Sequence, residues 1–248
     1  MEVVPVIELQ TADIQLTWPS PPPRMELAGE EVHVWSAWLG HGQADDSASL
    51  EMLSEDERAR SAKFRFERDR KAFVARRSLL RAILGHYLKV KPWQITLAYE
   101  ERGKPRVSAP VSAAPFHFSF SHSRGLGLCA VSRFAPLGVD VERIRPMPEM
   151  AEIGAAFCAV QENALLNAAP PEKKLEVFFS IWTRKEAYLK ATGEGIAGAL
   201  AQLDCSQAPP GWSLHALSPA PGFVGALAFP GSAARPLCWR WERPPGWD

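Results

Sequence analysis

Two acidic side chains, Asp140 and Glu142, alternate with valines in the segment Gly138-Val-Asp-Val-Glu142. This alternation predicts a β-strand that places both carboxylates on one face and both valines on the other. Residues two positions apart on a strand are separated by about 6.5–7 Å at the backbone, and their side chains can converge further. Because like charges at that distance repel, the pair indicates either a cation between the carboxylates or water around an exposed strand face.

The segment from Trp182 to Lys190 follows forty residues later and predicts a helix with Trp182, Glu186 and Lys190 on one face. Taken alone, Glu186 and Lys190 could form an ordinary surface ion pair. Together with the acidic strand they supply three carboxylates and an ammonium, the groups needed to hold a divalent metal and act on a phosphate ester. No cluster of cysteine and histidine accompanies them, so Mg²⁺ or Mn²⁺ is favoured over zinc.

Ser121 and His122 end a run in which phenylalanines at 116, 118 and 120 alternate with polar residues, which predicts a strand. A serine beside a histidine suggests a hydrolase, but adjacent residues on a strand point to opposite faces and cannot serve each other as nucleophile and base. No Gly-x-Ser-x-Gly motif is present either. His122 is therefore interpreted as a phosphate or ribose contact, with a structural histidine as the alternative.

The tripeptide Gly103-Lys104-Pro105 predicts a turn. A lysine presented on a turn can direct one ammonium at a phosphate group. The turn alone and the phosphate contact both remain open for Lys104.

A basic segment runs from Arg58 to Arg81 and contains ten lysines and arginines against only Glu67 and Asp69. Helices that merely face solvent usually mix both signs of charge. The excess of positive charge favours an anionic ligand or an acidic protein partner. Nucleic acid is not favoured, because aromatic residues are not interleaved on this face and the net charge of the chain is zero.

Composition places the chain among ordinary globular proteins, with 248 residues, 46% apolar and 23% charged. The four cysteines form no CxxC pair, so reduced and mostly buried thiols are expected. The first residues lack the basic and apolar parts of a signal peptide, and prolines and glycines interrupt the uncharged stretch 205–234. We expect a cytoplasmic protein that does not bind membranes.

The pattern of elements divides the chain into a proline-rich extension at 1–24, an α+β half at 25–136 and a second α+β half at 137–248. Residues 73–82 overlay weakly on 182–191, which pairs Arg81 with Lys190. The fold class expected is therefore α+β, with two similar halves in a dimer-like, pseudo-twofold arrangement within one chain. A crevice between such halves is a natural ligand site. Helices are expected at about 69–88, 148–168 and 173–191, and strands at about 31–39, 95–99, 116–120, 125–132, 138–142, 212–217, 223–229 and 237–241.

These motifs together resemble the Sfp-type 4′-phosphopantetheinyl transferases over about residues 30–230. The likeness rests on the order and spacing of the segments 138–142 and 182–190, which are specific in combination. The turn at 103–105 and the segment Phe118-Ser-Phe-Ser-His-Ser123 give weaker support. The resemblance implies a monomer of two α+β halves that binds coenzyme A. It also implies transfer of the phosphopantetheine arm to a serine of an apo carrier protein (acyl, peptidyl or polyketide), with release of adenosine 3′,5′-bisphosphate.

The chemistry of this transfer makes Glu186 the candidate base, acting directly or through a metal-bound water, and Lys190 the candidate to stabilise or protonate the leaving bisphosphate. The resemblance further implies a role for each matching residue. The metal ligands would be Asp140, Glu142 and Glu186, and the contacts to coenzyme A would be Arg60, Gly103, Lys104, Ser121, His122, Lys185 and Lys190.

One departure from the family lies at Glu57, where some members carry a lysine. It predicts that contacts to the 3′-phosphate of coenzyme A are redistributed to Arg58, Arg70 or Lys71. A different class of function, a non-catalytic module that binds coenzyme A or a nucleotide, is the main alternative. Retention of all three carboxylates and Lys190 speaks against it, since binding alone would not require the full set.

Overall fold

The computed structural model describes residues 18–22, 25–39, 47–109, 115–195, 200–231 and 236–242. These residues form two compact units. The first unit contains the described residues from 18 to 136 together with 236–242, and the second unit contains those from 137 to 231. Most of the predicted extension lies outside the described residues. Within 18–22, the carbonyl of Pro19 accepts a hydrogen bond from the amide of Arg240 at 2.9 Å, inside the first unit.

Helices and strands are mixed in both units, so the predicted α+β class is confirmed. In chain order the elements are β1 (Val32–Trp38), α1 (Ser47–Glu51), α2 (Glu55–Ser61), α3 (Glu67–Leu88), β2 (Thr96–Tyr99), β3 (Pro105–Ala109), β4 (His117–Ser123), β5 (Leu126–Ser132), β6 (Gly138–Arg143), α4 (Met150–Phe157), α5 (Val160–Ala168), α6 (Lys174–Thr192), β7 (Trp212–Leu217), β8 (Phe223–Pro230) and β9 (Pro236–Arg240).

The two units repeat one order of elements. In the first unit β1 is followed by helices and then by the hairpin β4–β5, and β1 pairs antiparallel with β5. In the second unit β6 is followed by helices and then by the hairpin β7–β8, and β6 pairs antiparallel with β8. The first unit also contains the separate hairpin β2–β3.

Strand β9 corrects the predicted boundary of the second half. Residues up to 248 were expected to belong to that half, but β9 pairs in parallel with β1 and completes the sheet order β4-β5-β1-β9 of the first unit. A local pattern identifies the strand but not its partner, because about 200 residues separate the two.

In each unit the long helix packs against the sheet. Helix α3 contributes leucines and Tyr87 to a core that includes Trp35 and Phe118. In the second unit Ala187 and Ala191 of α6 meet alanines 226 and 228 of β8, where small side chains let the helix approach closely. All four cysteines are buried and form no disulfide, as predicted. Within the described residues, no helix is both long and apolar enough to cross a bilayer.

Gly138 sets the distance between β6 and α6. A Cβ atom at this position would lie 2.5 Å from the amide nitrogen of Ala191 and 2.9 Å from the Cβ of Lys190, and it would also collide with the carbonyl of Ala187. These neighbours are mostly helix backbone and cannot move individually. The strand can therefore approach the helix this closely only because residue 138 is a glycine.

Candidate active site in the second unit

Asp140 and Lys190 form the centre of the site. Asp140 lies in the middle of β6 with only 5% of its surface exposed. The ammonium of Lys190, near the end of α6, lies 2.6 Å from Oδ1 of Asp140 and 3.4 Å from the carbonyl oxygen of Val139. A buried carboxylate needs a counter-charge, and in this structure Lys190 provides it.

Glu186 lies one helical turn before Lys190 on the same face of α6. Its Oε1 atom is buried and accepts no hydrogen bond from the described residues. Burial raises the pKa of Glu186, and the charge of Asp140 raises this pKa further, with a smaller contribution from Glu142. Lys190 acts in the opposite direction and lowers the pKa of Glu186. Glu186 therefore lies within the electrostatic field of both strand carboxylates, as the sequence motifs predict.

The three carboxylates do not form a preassembled metal cage. Among the described ranges, no three histidine, cysteine, aspartate or glutamate side chains lie close enough together to hold a metal ion as they stand. The donor set nevertheless fits a hard divalent ion, because all three candidate ligands are carboxylates. The buried Oε1 of Glu186 also receives no hydrogen bond from the part of the chain that the structure describes, and a bound cation would satisfy this oxygen. The carboxylates repel one another and Lys190 pairs with Asp140, an arrangement that a divalent cation could join.

Lys185 was predicted to contact coenzyme A, and the structure contradicts that prediction. Its side chain is fully buried, and its three ammonium hydrogens are matched by three acceptors. These are Glu162 Oε2 at 2.7 Å, the carbonyl of Leu200 at 2.6 Å and the carbonyl of Leu203 at 2.5 Å. Lys185 precedes Glu186 by one residue, so it points about 100° away around the helix and into the core. It stabilises the fold and is not exposed to a ligand.

The remaining predicted contacts lie in the first unit, and the β2–β3 turn presents one of them. Gly103 adopts a positive φ of 82°, which favours glycine, and its amide donates to the carbonyl of Glu100 at 2.8 Å. Lys104 follows on this turn with a half-buried side chain. Burial lowers the pKa of Lys104, and Glu100 acts in the opposite direction.

Ser121 and His122 lie on β4 and face opposite ways, as predicted. Ser121 is buried and His122 is exposed. The exposure of His122 argues against the alternative of a core histidine. Arg60 is also exposed, on α2, and its guanidinium lies over the ring of Phe73 with 5.3 Å to the ring centroid. Arg60 and His122 can therefore both be reached by a ligand in solution.

Glu57, the departure from the family pattern, is only 4% exposed. Its carboxylate pairs with Arg81 and Arg77 of α3 and accepts a hydrogen bond from the amide of Ser54 at 3.3 Å. Glu57 is thus a structural residue. Arg70, one of the substitutes considered for the phosphate grip, pairs with Glu67 at 2.6 Å.

Sequence reasoning missed Glu162 and the role of Gly138. Glu162 follows Ala159 by three residues and accepts a hydrogen bond from its amide at 2.7 Å, the contact that a capping box makes. Ala159 replaces the usual serine or threonine, which hid the motif. The signal for Gly138 was its place at the start of a predicted strand, where a glycine often marks close backbone approach.

Comparison with known proteins identifies the family. Over 237 residues the chain is 38% identical to the 4′-phosphopantetheinyl transferase HetI of Nostoc sp., an alignment that covers 92% of this chain and all of that protein. The chain belongs to the 4′-phosphopantetheinyl transferase superfamily. This transferase is also 35% identical over 148 residues to the 4′-phosphopantetheinyl transferase psf-1 of Bacillus pumilus, covering 60% of this chain and 61% of that protein.

Two family models divide the transferase in the same way as its units. The 4′-phosphopantetheinyl transferase N-terminal model matches residues 37–132, and the 4′-phosphopantetheinyl transferase superfamily model matches residues 136–215. Asp140, Glu142, Glu186 and Lys190 all lie in the second match. The prediction that the chain is an enzyme of this class is confirmed.

Proposed function

We propose that this transferase moves the 4′-phosphopantetheine arm of coenzyme A onto a serine of an apo carrier protein, in a reaction that depends on Mg²⁺ or Mn²⁺. The observation that carries the proposal is the cluster of buried Asp140 with half-buried Glu186 and Lys190, with Glu142 beside Asp140 on β6. It lies within the stretch that matches the superfamily model. A binding module would gain nothing from burying two carboxylates that repel each other.

The reaction requires attack at a phosphorus atom that is surrounded by negative charge. The serine oxygen attacks the phosphorus that carries the pantetheine arm. The bond from that phosphorus to the bridging oxygen then breaks, and adenosine 3′,5′-bisphosphate leaves with the electron pair. Positioning and charge neutralisation supply most of the catalysis in such transfers.

Glu186 is proposed to accept the proton of the carrier serine. Its raised pKa, caused by burial and by Asp140, makes it a better proton acceptor than an exposed glutamate. Lys190 is proposed to neutralise the departing bisphosphate, since its ammonium lies at the site, 2.6 Å from Oδ1 of Asp140. Asp140, Glu142 and Glu186 would hold the divalent ion, which supplies positive charge against the diphosphate when bound.

The first unit is proposed to contribute the phosphate contacts of coenzyme A. Arg60 and His122 are exposed, and Lys104 stands on a turn that Gly103 shapes. Ser121 is buried beside His122 and is proposed to support that part of β4. The exposed arginines of α2 and the start of α3 add positive charge that would attract an acidic carrier protein.

Intact-mass measurement tests the proposal. The protein is incubated with coenzyme A, Mg²⁺ and a panel of apo acyl, peptidyl and polyketide carrier proteins. At least one carrier should gain the mass of one phosphopantetheine group, and a carrier whose acceptor serine is replaced by alanine should gain none. Binding of coenzyme A without modification of any carrier would overturn the proposal and favour the non-catalytic binding module.

A further inference from the structure

The ion pair between Lys190 and Asp140 bears on how a metal reaches the site. The ammonium of Lys190 is 2.6 Å from Oδ1 of Asp140, which is a short, charge-assisted hydrogen bond. Asp140 is also one of the proposed metal ligands. A divalent ion on this carboxylate would bring two cations together, and cations at contact distance repel strongly where water is largely excluded.

The packing of α6 allows one of these cations to move. Gly138 holds the backbone of the helix against β6, so the Cα of Lys190 is fixed close to the strand. The side chain of Lys190 is 32% exposed, whereas that of Asp140 is only 7% exposed. A lysine side chain has four rotatable bonds and can carry its ammonium outward, but the aspartate cannot leave the strand face.

Glu186 shows that the ammonium of Lys190 does not satisfy the whole site. Its Oε1 is buried and receives no hydrogen bond from the described residues, and the charge of Asp140 acts on it unfavourably. A divalent ion carries twice the charge of the ammonium and can approach several carboxylates at once. The site therefore favours exchange of the ammonium for a metal when one is supplied.

We propose that Lys190 is a built-in counter-ion that competes with the divalent cation for Asp140. In the absence of metal it holds the acid pair in place and keeps the affinity for metal low. Metal binding displaces the ammonium from Asp140 and leaves it available to an anionic ligand, so the metal and the phosphate contact of Lys190 are coupled. This inference rests on the proposed function, because it assumes that Asp140 is a metal ligand.

Metal binding to the full-length protein without coenzyme A tests this competition. Mn²⁺ is titrated at pH 8, where protons compete little for carboxylates, and free Mn²⁺ is measured by electron paramagnetic resonance. Lys190→Met should bind Mn²⁺ about tenfold more tightly than the wild type, because the competing charge is gone. Lys190→Gln, which keeps a hydrogen-bond donor without the charge, should show the same direction. Lys173→Met is the matched control, since Lys173 is exposed at the start of the same helix and pairs with Glu176.

Thermal unfolding gives a second measurement that does not depend on activity. In the presence of a chelator, Lys190→Met should unfold at a lower temperature than the wild type, because buried Asp140 loses its ion pair with the ammonium of Lys190. Saturating Mg²⁺ should raise its unfolding temperature by more than that of the wild type. Equal responses to Mg²⁺ in the two proteins would contradict the competition.

The outcomes separate this inference from the proposed function. If Asp140→Asn loses Mn²⁺ binding while the two Lys190 variants bind no more tightly than the wild type, the competition is wrong and the metal site stands. If Asp140→Asn binds Mn²⁺ as the wild type does, the metal site itself is wrong and the inference fails with it. Phosphopantetheine transfer by the wild type is measured separately and is unaffected by either result.

Discussion

Both units contain a buried glutamate as the third residue of a short helix, and each glutamate pairs with a cation on the long helix that follows. In the first unit Glu57 pairs with Arg81, and in the second Glu162 pairs with Lys185. Each glutamate also accepts a hydrogen bond from the amide three residues before it. Each cation also donates hydrogen bonds to backbone carbonyls in the segment after its long helix. Arg81 donates to Pro92 and Ile95, and Lys185 donates to Leu200 and Leu203.

The ends of the long helices place these cations at equivalent positions. Helix α3 ends at Lys89 and α6 ends at Gly193, and both of these capping residues have a left-handed backbone. Arg81 and Lys185 each precede their capping residue by eight positions. The weak overlay of the sequence, which pairs Arg81 with Lys190, is therefore displaced by five residues.

The units differ in what they place beside this shared ion pair. Counted from the helix ends, Glu186 corresponds to Ala82, which has no charge. The first unit instead joins β1 to α3 through Tyr87, whose hydroxyl accepts a hydrogen bond from Trp35 Nε1 at 2.9 Å and lies 2.8 Å from His33 Nδ1. The comparison separates two kinds of buried charge. The pair that occurs in both units maintains the fold, and the acids found in only one unit are candidates for chemistry.

Removal of the ion pair that occurs in both units should have the largest effect on stability. Lys185→Met leaves Glu162 charged and fully buried, so we expect the free energy of unfolding to fall by about 3–5 kcal/mol. Arg81→Met should change it in the same direction but by less, because Arg77 still pairs with Glu57. Urea unfolding followed by circular dichroism measures both. The control is Lys173→Met, whose ion pair with Glu176 is exposed and should contribute little to stability. A midpoint for Lys185→Met equal to that of the control would show that this ion pair is not structural.

Glu186→Gln should have the opposite profile, with a large effect on catalysis and little on stability. Loss of the proposed base should lower the transfer rate about 100-fold or more. The unfolding temperature in a chelator should not fall, since the change removes a negative charge from the field of Asp140. Intact-mass kinetics at saturating Mg²⁺ measures the rate. Glu176→Gln makes the same chemical change near the start of α6 and should transfer normally. A rate for Glu186→Gln within a few-fold of the wild type would exclude its role as base and ligand.

The sequence predicts the local elements of this comparison well. Alternating valines and acids predict β6, and the helical spacing of Trp182, Glu186 and Lys190 predicts α6 to within about a residue of its observed ends. Local periodicity succeeds here because side chains on one face of a strand or helix share one environment.

Other features depend on partners that are distant in the sequence. Lys185 and Lys190 are both lysines on one helix, and Lys185 is the one that finds buried acceptors, in Glu162 and in the carbonyls of Leu200 and Leu203. The pairing of β9 with β1 has the same origin, since any exposed edge could accept that strand. No pattern within a short window contains this information.

Gly138→Ala should have an intermediate effect, because it acts on the spacing between β6 and α6, the two elements that contain the proposed catalytic residues. The new methyl group would overlap the backbone of α6, so we expect a loss of about 1–3 kcal/mol in stability. A shift of the helix would also move Glu186 and Lys190 relative to Asp140 and lower the transfer rate. Gly29→Ala is the control, since a Cβ there meets nothing within 4 Å. Unchanged stability and rate would show that the close approach of β6 and α6 is not required.

The smallest effect on stability should come from lowering the pH, which would protonate His33 beside Tyr87 in the first unit. Burial lowers the pKa of His33, and the hydrogen bond and charge of Glu31 only partly oppose this. A histidine whose pKa is lowered in the folded state stabilises the fold above its unfolded pKa of about 6.5, and this contribution is lost as the pH falls through the folded value. His33→Gln keeps polar atoms but cannot titrate, so its unfolding temperature should fall less than that of the wild type between pH 7 and pH 5. Calorimetry at several pH values measures the two slopes. Parallel slopes would show that protonation of His33 does not weaken the first unit.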